Sequence, residues 1–164
     1  MTILPSVGPL TGPDRVRADA AARGIPIKIV ERPAANSLEG AASALGVDPA
    51  TIVKSLVVKR HDGTFLFALI PGDRQISWVK LRAVVGVNKL QLPPAEAALE
   101  ATGYERGTIT PLGSITAWPV FADSQIAGHR IAVGAGEHGY SAWVEADDLV
   151  AGFGATLADI SEPS

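Results

Sequence analysis

The sequence predicts an α+β domain in which a mixed, curled sheet carries helices on its outside. Three observations lead there. Of the 164 residues, 47% are hydrophobic and 19% charged, which suits one domain with a sizeable core and excludes global disorder. Two apolar, β-branched runs, residues 52–59 and 64–70, flank His61-Asp62-Gly63, a hairpin signal. Helical stretches fall between hairpins rather than in strict βαβα alternation, which argues against a doubly wound parallel sheet.

The elements follow in order. Residues 1–10 read as a flexible arm of a single domain spanning residues 1–164. Gly12-Pro13-Asp14 opens a helix, with proline near its first position and acid in its first turn, and Gly24 stops it. Residues 25–31 are a short apolar strand, ended by Arg32-Pro33. Asn36 and Glu39 have capping-box spacing for a second helix reaching Leu45 and Gly46. Asp48-Pro49 turns the chain into the hairpin. Ser77 can cap a helix over 78–85 that closes at Gly86. Residues 89–92 form a short strand, and Pro93-Pro94 starts a helix ending near Thr102-Gly103. A Gly/Thr/Pro-rich loop follows. Short strands are expected at 118–122, 130–133 and 140–145, then a helix near 146–150 and a last strand near 157–160.

Composition excludes several function classes. There is no cysteine, hence no disulfide, thiolate metal site or cysteine nucleophile, a composition compatible with the cytoplasm. The net charge of −3 rules out a nucleic-acid-coating protein, so any such contact is a local patch. No apolar run approaches the roughly 18 residues of a membrane helix, and the first ten residues do not read as a signal peptide. His61, His129 and His138 show no metal-ligand spacing, so no metal or cofactor is expected. Neither a G-x-S-x-G elbow nor a Walker A motif is present. Residues 134–139 match G-x-G-x-x-G, but an alternating, strand-like segment follows where a dinucleotide site needs a helix.

Two features could carry chemistry. Lys54 interrupts the apolar strand and shares a face with Ile52, Leu56 and Val58. A lone ammonium buried there is costly, so Lys54 either guards a strand edge, snorkels out, or points into a polar, ligand-sized cavity. The loop over residues 103–113 holds three glycines and a proline. Its amides could cradle an anion or stabilise an oxyanion; an ordinary surface loop has the same composition. Lys54, Lys59, Arg60, Lys80, Arg82 and Lys89 form a positive cluster if the hairpin and the Ser77 helix face one groove.

Taken in order, these pieces resemble the YbaK/ProX/EbsC family of aminoacyl-tRNA deacylases, related to the editing domain of bacterial prolyl-tRNA synthetases. The residues concerned are Ile52-Val53-Lys54-Ser55-Leu56-Val57, the loop through Gly107-Thr108-Ile109-Thr110-Pro111-Leu112-Gly113, Pro119-Val120-Phe121-Ala122-Asp123, Val133-Gly134-Ala135-Gly136, and the tail from Asp148 to Ile160. The resemblance implies a barrel-like mixed sheet and hydrolysis of the ester between a wrong small amino acid and the tRNA 3′ end. It implies Lys54 as the essential lysine and loop amides at the ester carbonyl. Ser55, Gly107, Thr108, Thr110, Gly113, Asp123, Gly134, Gly136 and Ser141 are the implied substrate-binding positions. Thr108 stands where members often have a second glycine, and Ser55 where they often have Thr or Asn. A synthetase is an implied partner. The same pocket could instead bind a small ligand or a nucleic-acid end without turnover, or the chain could act by docking on a partner. The amino acid, the tRNA and the oligomeric state stay open at this level.

Overall fold

The computed structural model describes residues 11–33, 35 and 37–164; the expected arm at 1–10 and the cap at Asn36 lie outside them. Helix α1 (Gly12–Arg23) is capped by the Thr11 hydroxyl and stopped by Gly24 in a left-handed conformation. Strand β1 (Ile27–Glu31) leads to α2 (Leu38–Leu45), where Ser37 accepts the Gly40 N–H as the cap. A short 3-10 turn at Pro49–Thr51 feeds β2 (Val53–Arg60), which returns as β3 (Phe65–Pro71). Then come β4 (Arg74–Ile76), α3 (Trp78–Val85, capped by Ser77), β5 (Leu90–Gln91) and α4 (Ala95–Thr102). After the glycine-rich loop follow β6 (Val120–Asp123), β7 (Arg130–Gly134), β8 (Tyr140–Glu145), α5 (Ala146–Phe153), β9 (Thr156–Ala158) and β10 (Ser161–Pro163).

The strands form a five-stranded mixed sheet, β5-β2-β3-β6-β9, a three-stranded antiparallel sheet, β1-β8-β7, and the small pair β10-β4. Strand β3 runs antiparallel to β2 and parallel to β6. The larger core cluster includes Val53, Val57, Phe67 and Leu69 of the mixed sheet together with Ile131, Val133, Ala142 and Val144 of the antiparallel one. The smaller includes Val58, Leu66, Ala68 and Ile70 with Leu81 of α3 and Ile160. By the two-residue strand period the mixed sheet is therefore packed on both faces.

Two expectations are corrected. The sheets do not close or curl into a barrel. One isolated parallel bridge, from Ile52 just before β2 to Ala132 of β7, joins the two sheets, and no ladder continues from it. Beyond that bridge the glycine-rich loop occupies the edge of β7. The Gly136 N–H donates to the Thr108 carbonyl at 3.0 Å, and a Cβ at Gly134 would lie 2.6 Å from the Ile109 carbonyl oxygen. The single last strand is two. Its chain breaks at Asp159-Ile160, where the Ile160 N–H donates to buried Asp123 and its carbonyl accepts from Ser77. Strand β10 then pairs with β4, an element too short and polar to show in the sequence.

Candidate active site

Where β2 and β7 part, a cavity of about 780 Å³ opens. Residues 52–57 line one side without a break, α2 and its cap supply Ser37, Leu38 and Ala41, and β7 supplies Ala132, Val133 and Gly134. The remaining wall includes Arg32, Arg106, Gly107, Ile109, His138, Ser141 and residues at the start of α4. Its charged lining side chains are Arg32, Lys54 and Arg106, and no carboxylate lines it. In a chain of net charge −3, that is a locally cationic cleft suited to an anion.

Lys54 stands on the face of β2 that carries Leu56 and Val58, as the period required. Its ammonium donates to the Arg74 carbonyl, leaving donors for a ligand. Burial lowers its pKa below the ordinary lysine value, opposed by the nearby charges of Asp73 and Glu39. Arg74 is itself braced: its Nε donates to Ser161 Oγ at 2.7 Å and its Nη2 to the Ser161 carbonyl at 3.2 Å. Ser55 points to the other face, and its Oγ is buried without a hydrogen-bond partner among the described residues.

Arg32 lies across the cleft. Its Nε donates to Ser141 Oγ at 2.9 Å and its Nη1 to the Pro33 carbonyl at 3.1 Å, and burial lowers its pKa. In the sequence, Arg32-Pro33 reads only as the end of a strand. The partner that aims Arg32 is 109 positions away, which no local signal reports. Arg106 also went unmarked. His138 sits at the exposed rim, 3.3 Å from Glu105.

The glycine-rich loop is anchored from α1. Arg15 lies 4.5 Å over the Tyr104 ring and donates to the carbonyls of Gly113 at 2.6 Å and Thr102 at 3.2 Å. Asp19 accepts the Gly113 N–H at 2.8 Å. The Tyr104 hydroxyl donates to the Leu112 carbonyl at 2.8 Å. Thr108 uses its own N–H on the Glu105 carbonyl. Among the described residues, the N–H groups of Gly107 and Ile109 have no protein acceptor, so these two are free to face a ligand.

Of the positions implied by resemblance, the fold gathers Lys54, Ser55, Gly107, Gly134 and Ser141 around the cavity. It places the others elsewhere. Thr108 is buried, its hydroxyl bonded to the Glu105 carbonyl. Thr110 is fully buried and accepts from the Leu112 N–H. Gly113 is held by α1, and Gly136 packs on Gly12 and Tyr104. Asp123 is fully buried and accepts the N–H groups of Gln125 and Ile160, a structural staple. The expected basic cluster does not form the cleft. Lys80 pairs with Asp159 at 3.0 Å, and Lys59, Arg60, Arg82 and Lys89 are not lining residues. The described residues contain no grouping of side chains that could hold a metal ion, and no helix is long and apolar enough to cross a membrane.

Comparison with known proteins adds a family. Residues 32–151 match the model of the aminoacyl-tRNA editing domain. The proline–tRNA ligase of Thermosipho africanus is 42% identical over 85 residues, which are 52% of this chain and 15% of that protein. That of Shouchella clausii is 37% identical over 109 residues, 66% of this chain and 19% of the ligase. The chain thus spans less than a fifth of either ligase. A crystal structure described as a candidate trans-editing enzyme for prolyl tRNA synthetase superposes with a TM-score of 0.85 at 29% identity, covering 96% of this chain and 99% of the other. With nearly three quarters of its length matched, this chain belongs to the aminoacyl-tRNA editing domain family.

Proposed function

We propose that the chain is a trans-editing hydrolase that removes a mischarged small amino acid from the 3′ end of tRNA. The observation that carries this reading is the cleft itself. Among the described residues its wall carries three cations, Lys54, Arg32 and Arg106, and no carboxylate, in a member of an editing family. The Lys54 ammonium, fixed on one side by the Arg74 carbonyl, holds the phosphate of the terminal nucleotide or orients the ester. The Gly107 and Ile109 N–H groups face the carbonyl oxygen as negative charge develops on it. Water adds to the ester carbonyl carbon, the bond to the ribose oxygen breaks, and the water's proton ends on that oxygen. The products are free amino acid and tRNA. The reaction forms no covalent bond to the protein, in keeping with a cleft in which, among the described residues, His138 pairs with Glu105 and no lining serine is hydrogen-bonded to a histidine.

Net negative charge keeps the counterion-release contribution to tRNA affinity small. Affinity then comes from the acylated end, or from a synthetase partner, and the tRNA substrate places the protein in the cytoplasm. A deacylation panel tests the reading: tRNAs charged with Ala, Cys, Ser, Thr and other small amino acids, beside Lys54→Ala. Rapid ester loss on one or two members, reduced about 100-fold or more by the substitution, is the expected result. Loss no faster than the spontaneous rate on every member would overturn the hydrolase reading in favour of a binding module.

A further inference from the structure

Strand β2 carries a second piece of recognition chemistry, on its backbone. The Gly72 N–H donates to the Ile52 carbonyl at 2.7 Å and the Arg60 N–H to the Thr64 carbonyl at 2.8 Å. In an antiparallel pair such bonded positions alternate, so even-numbered residues of β2 turn their peptide groups toward β3. Residues 53, 55 and 57 turn theirs away. On that side β5 pairs only from Lys59 onward, and β7, though it runs close to β2, is bridged to this segment at Ile52, just before the strand begins, and not along β2. Among the described residues, no strand pairs with the edge at Ser55. The cavity is lined there by consecutive residues, which a strand presents only along its edge, not from one face. The unpartnered Ser55 hydroxyl marks the same place.

An open edge in the middle of a fold is a cost unless something pairs with it. The Ser55 N–H and C=O lie side by side and aim into the cleft. A ligand complementary to them offers an acceptor and a donor on adjacent atoms. The Watson–Crick edge of adenine is such a pair, N1 accepting and the N6 amino group donating. Ile109 and Leu56, both only partly buried, supply apolar surface beside it, and Lys54, Arg32 and Arg106 supply charge for the adjoining phosphate.

We propose that the β2 edge at Ser55 reads the adenine of the substrate's terminal nucleotide, the base standing where a neighbouring strand would otherwise pair. This deepens the hydrolase reading and rests on it for the identity of the nucleotide. Hypoxanthine inverts both groups, with a donor at N1 and an acceptor at O6. With the phosphate held by the cations, the base cannot turn over to restore the match.

The test compares adenosine 5′-monophosphate with inosine 5′-monophosphate on the intact protein. The expected result is a Ser55 amide ¹⁵N–¹H shift saturating with the adenine nucleotide, and binding at least about tenfold weaker for the inosine one. Ser55→Pro removes the outward N–H without touching the β2–β3 ladder. It should weaken the adenine nucleotide about tenfold and so remove most of its advantage over the inosine one. Equal binding of the two nucleotides, or an unmoved Ser55 amide at saturation, would overturn the proposal. Mischarged tRNA ending in inosine separates the two readings. Equal deacylation of both tRNAs sinks the base site and keeps the hydrolase. Adenine-selective binding without deacylation of any tRNA does the reverse.

Discussion

Replacing Arg15 by methionine keeps most of the side-chain volume and removes the donors that tie α1 to both ends of the glycine-rich loop. In the native protein the half-buried guanidinium bonds the Gly113 and Thr102 carbonyls and stacks on Tyr104. A hydrogen bond to a charged group is worth about 1.5–3 kcal/mol and a partly exposed cation–π contact about 0.5–1 kcal/mol. Two such bonds do not add fully at a site that water partly reaches, so the expected loss is about 2–3 kcal/mol. For a chain of this length that lowers Tm by about 5–10 °C. Lysine at the same position restores charge but not the fork, and should recover less than half. Arg17 is the control: it is exposed, its carboxylate partner is Asp14 at 3.4 Å, and Arg17→Met should shift Tm by no more than about 2 °C. The assay is thermal unfolding, with amide hydrogen exchange at residues 107–113 to show where stability is lost. A change in Arg15→Met no larger than that in Arg17→Met, with loop exchange unaltered, would refute the claim that α1 holds the loop.

Tyr104 should make stability fall in alkali. Burial is the main cause that pushes its hydroxyl pKa up to about 12 from 10.0, so its contribution is complete below pH 10 and is lost as pH rises from there to about 12. The contribution is about 3 kcal/mol by the conversion of pKa shift to free energy, and urea titrations over that range should show Tyr104→Phe missing this part of the decline. Gly134→Ala sets a methyl group 2.6 Å from the Ile109 carbonyl oxygen and 2.9 Å from that of Thr108, both backbone atoms. The loop must move, so kcat/KM for deacylation should fall at least about tenfold, with about 1–3 kcal/mol of stability lost; unchanged kinetics would show that the spacing of loop and strand is immaterial.

What could be read from the sequence is what short-range chemistry determines. Gly24, Gly46, Gly86 and Gly103 all end helices in left-handed conformations, and Ser77 caps α3, because caps are settled within a few residues. Lys54 stood out because a charge on an apolar strand needs a reason. Asp123 illustrates the opposite case. A carboxylate at a strand end looks the same whether it meets a ligand or staples Ile160, and only the fold separates the two. Arg32 and the β4–β10 pair were illegible because each depends on contacts about 87–109 residues away along the chain, a separation at which local pattern holds no information. The open edge of β2 belongs to the same class: the strand itself was plain, but its missing neighbour is a property of the loop that displaces β7.

The bracing of Lys54 has a consequence for modularity. The lysine leans on the carbonyl of Arg74, and Arg74 is gripped by Ser161. The loop opposite leans on Arg15 and Asp19. Both anchors fall outside residues 32–151, the segment shared with the family. A cassette cut at those limits and grafted into a foreign host would therefore carry the cavity walls but not what aims them. Any host would have to bring its own purchase on the Arg74 side chain and on the Gly113 backbone, and those two contacts are the ones to rebuild first in a transplant.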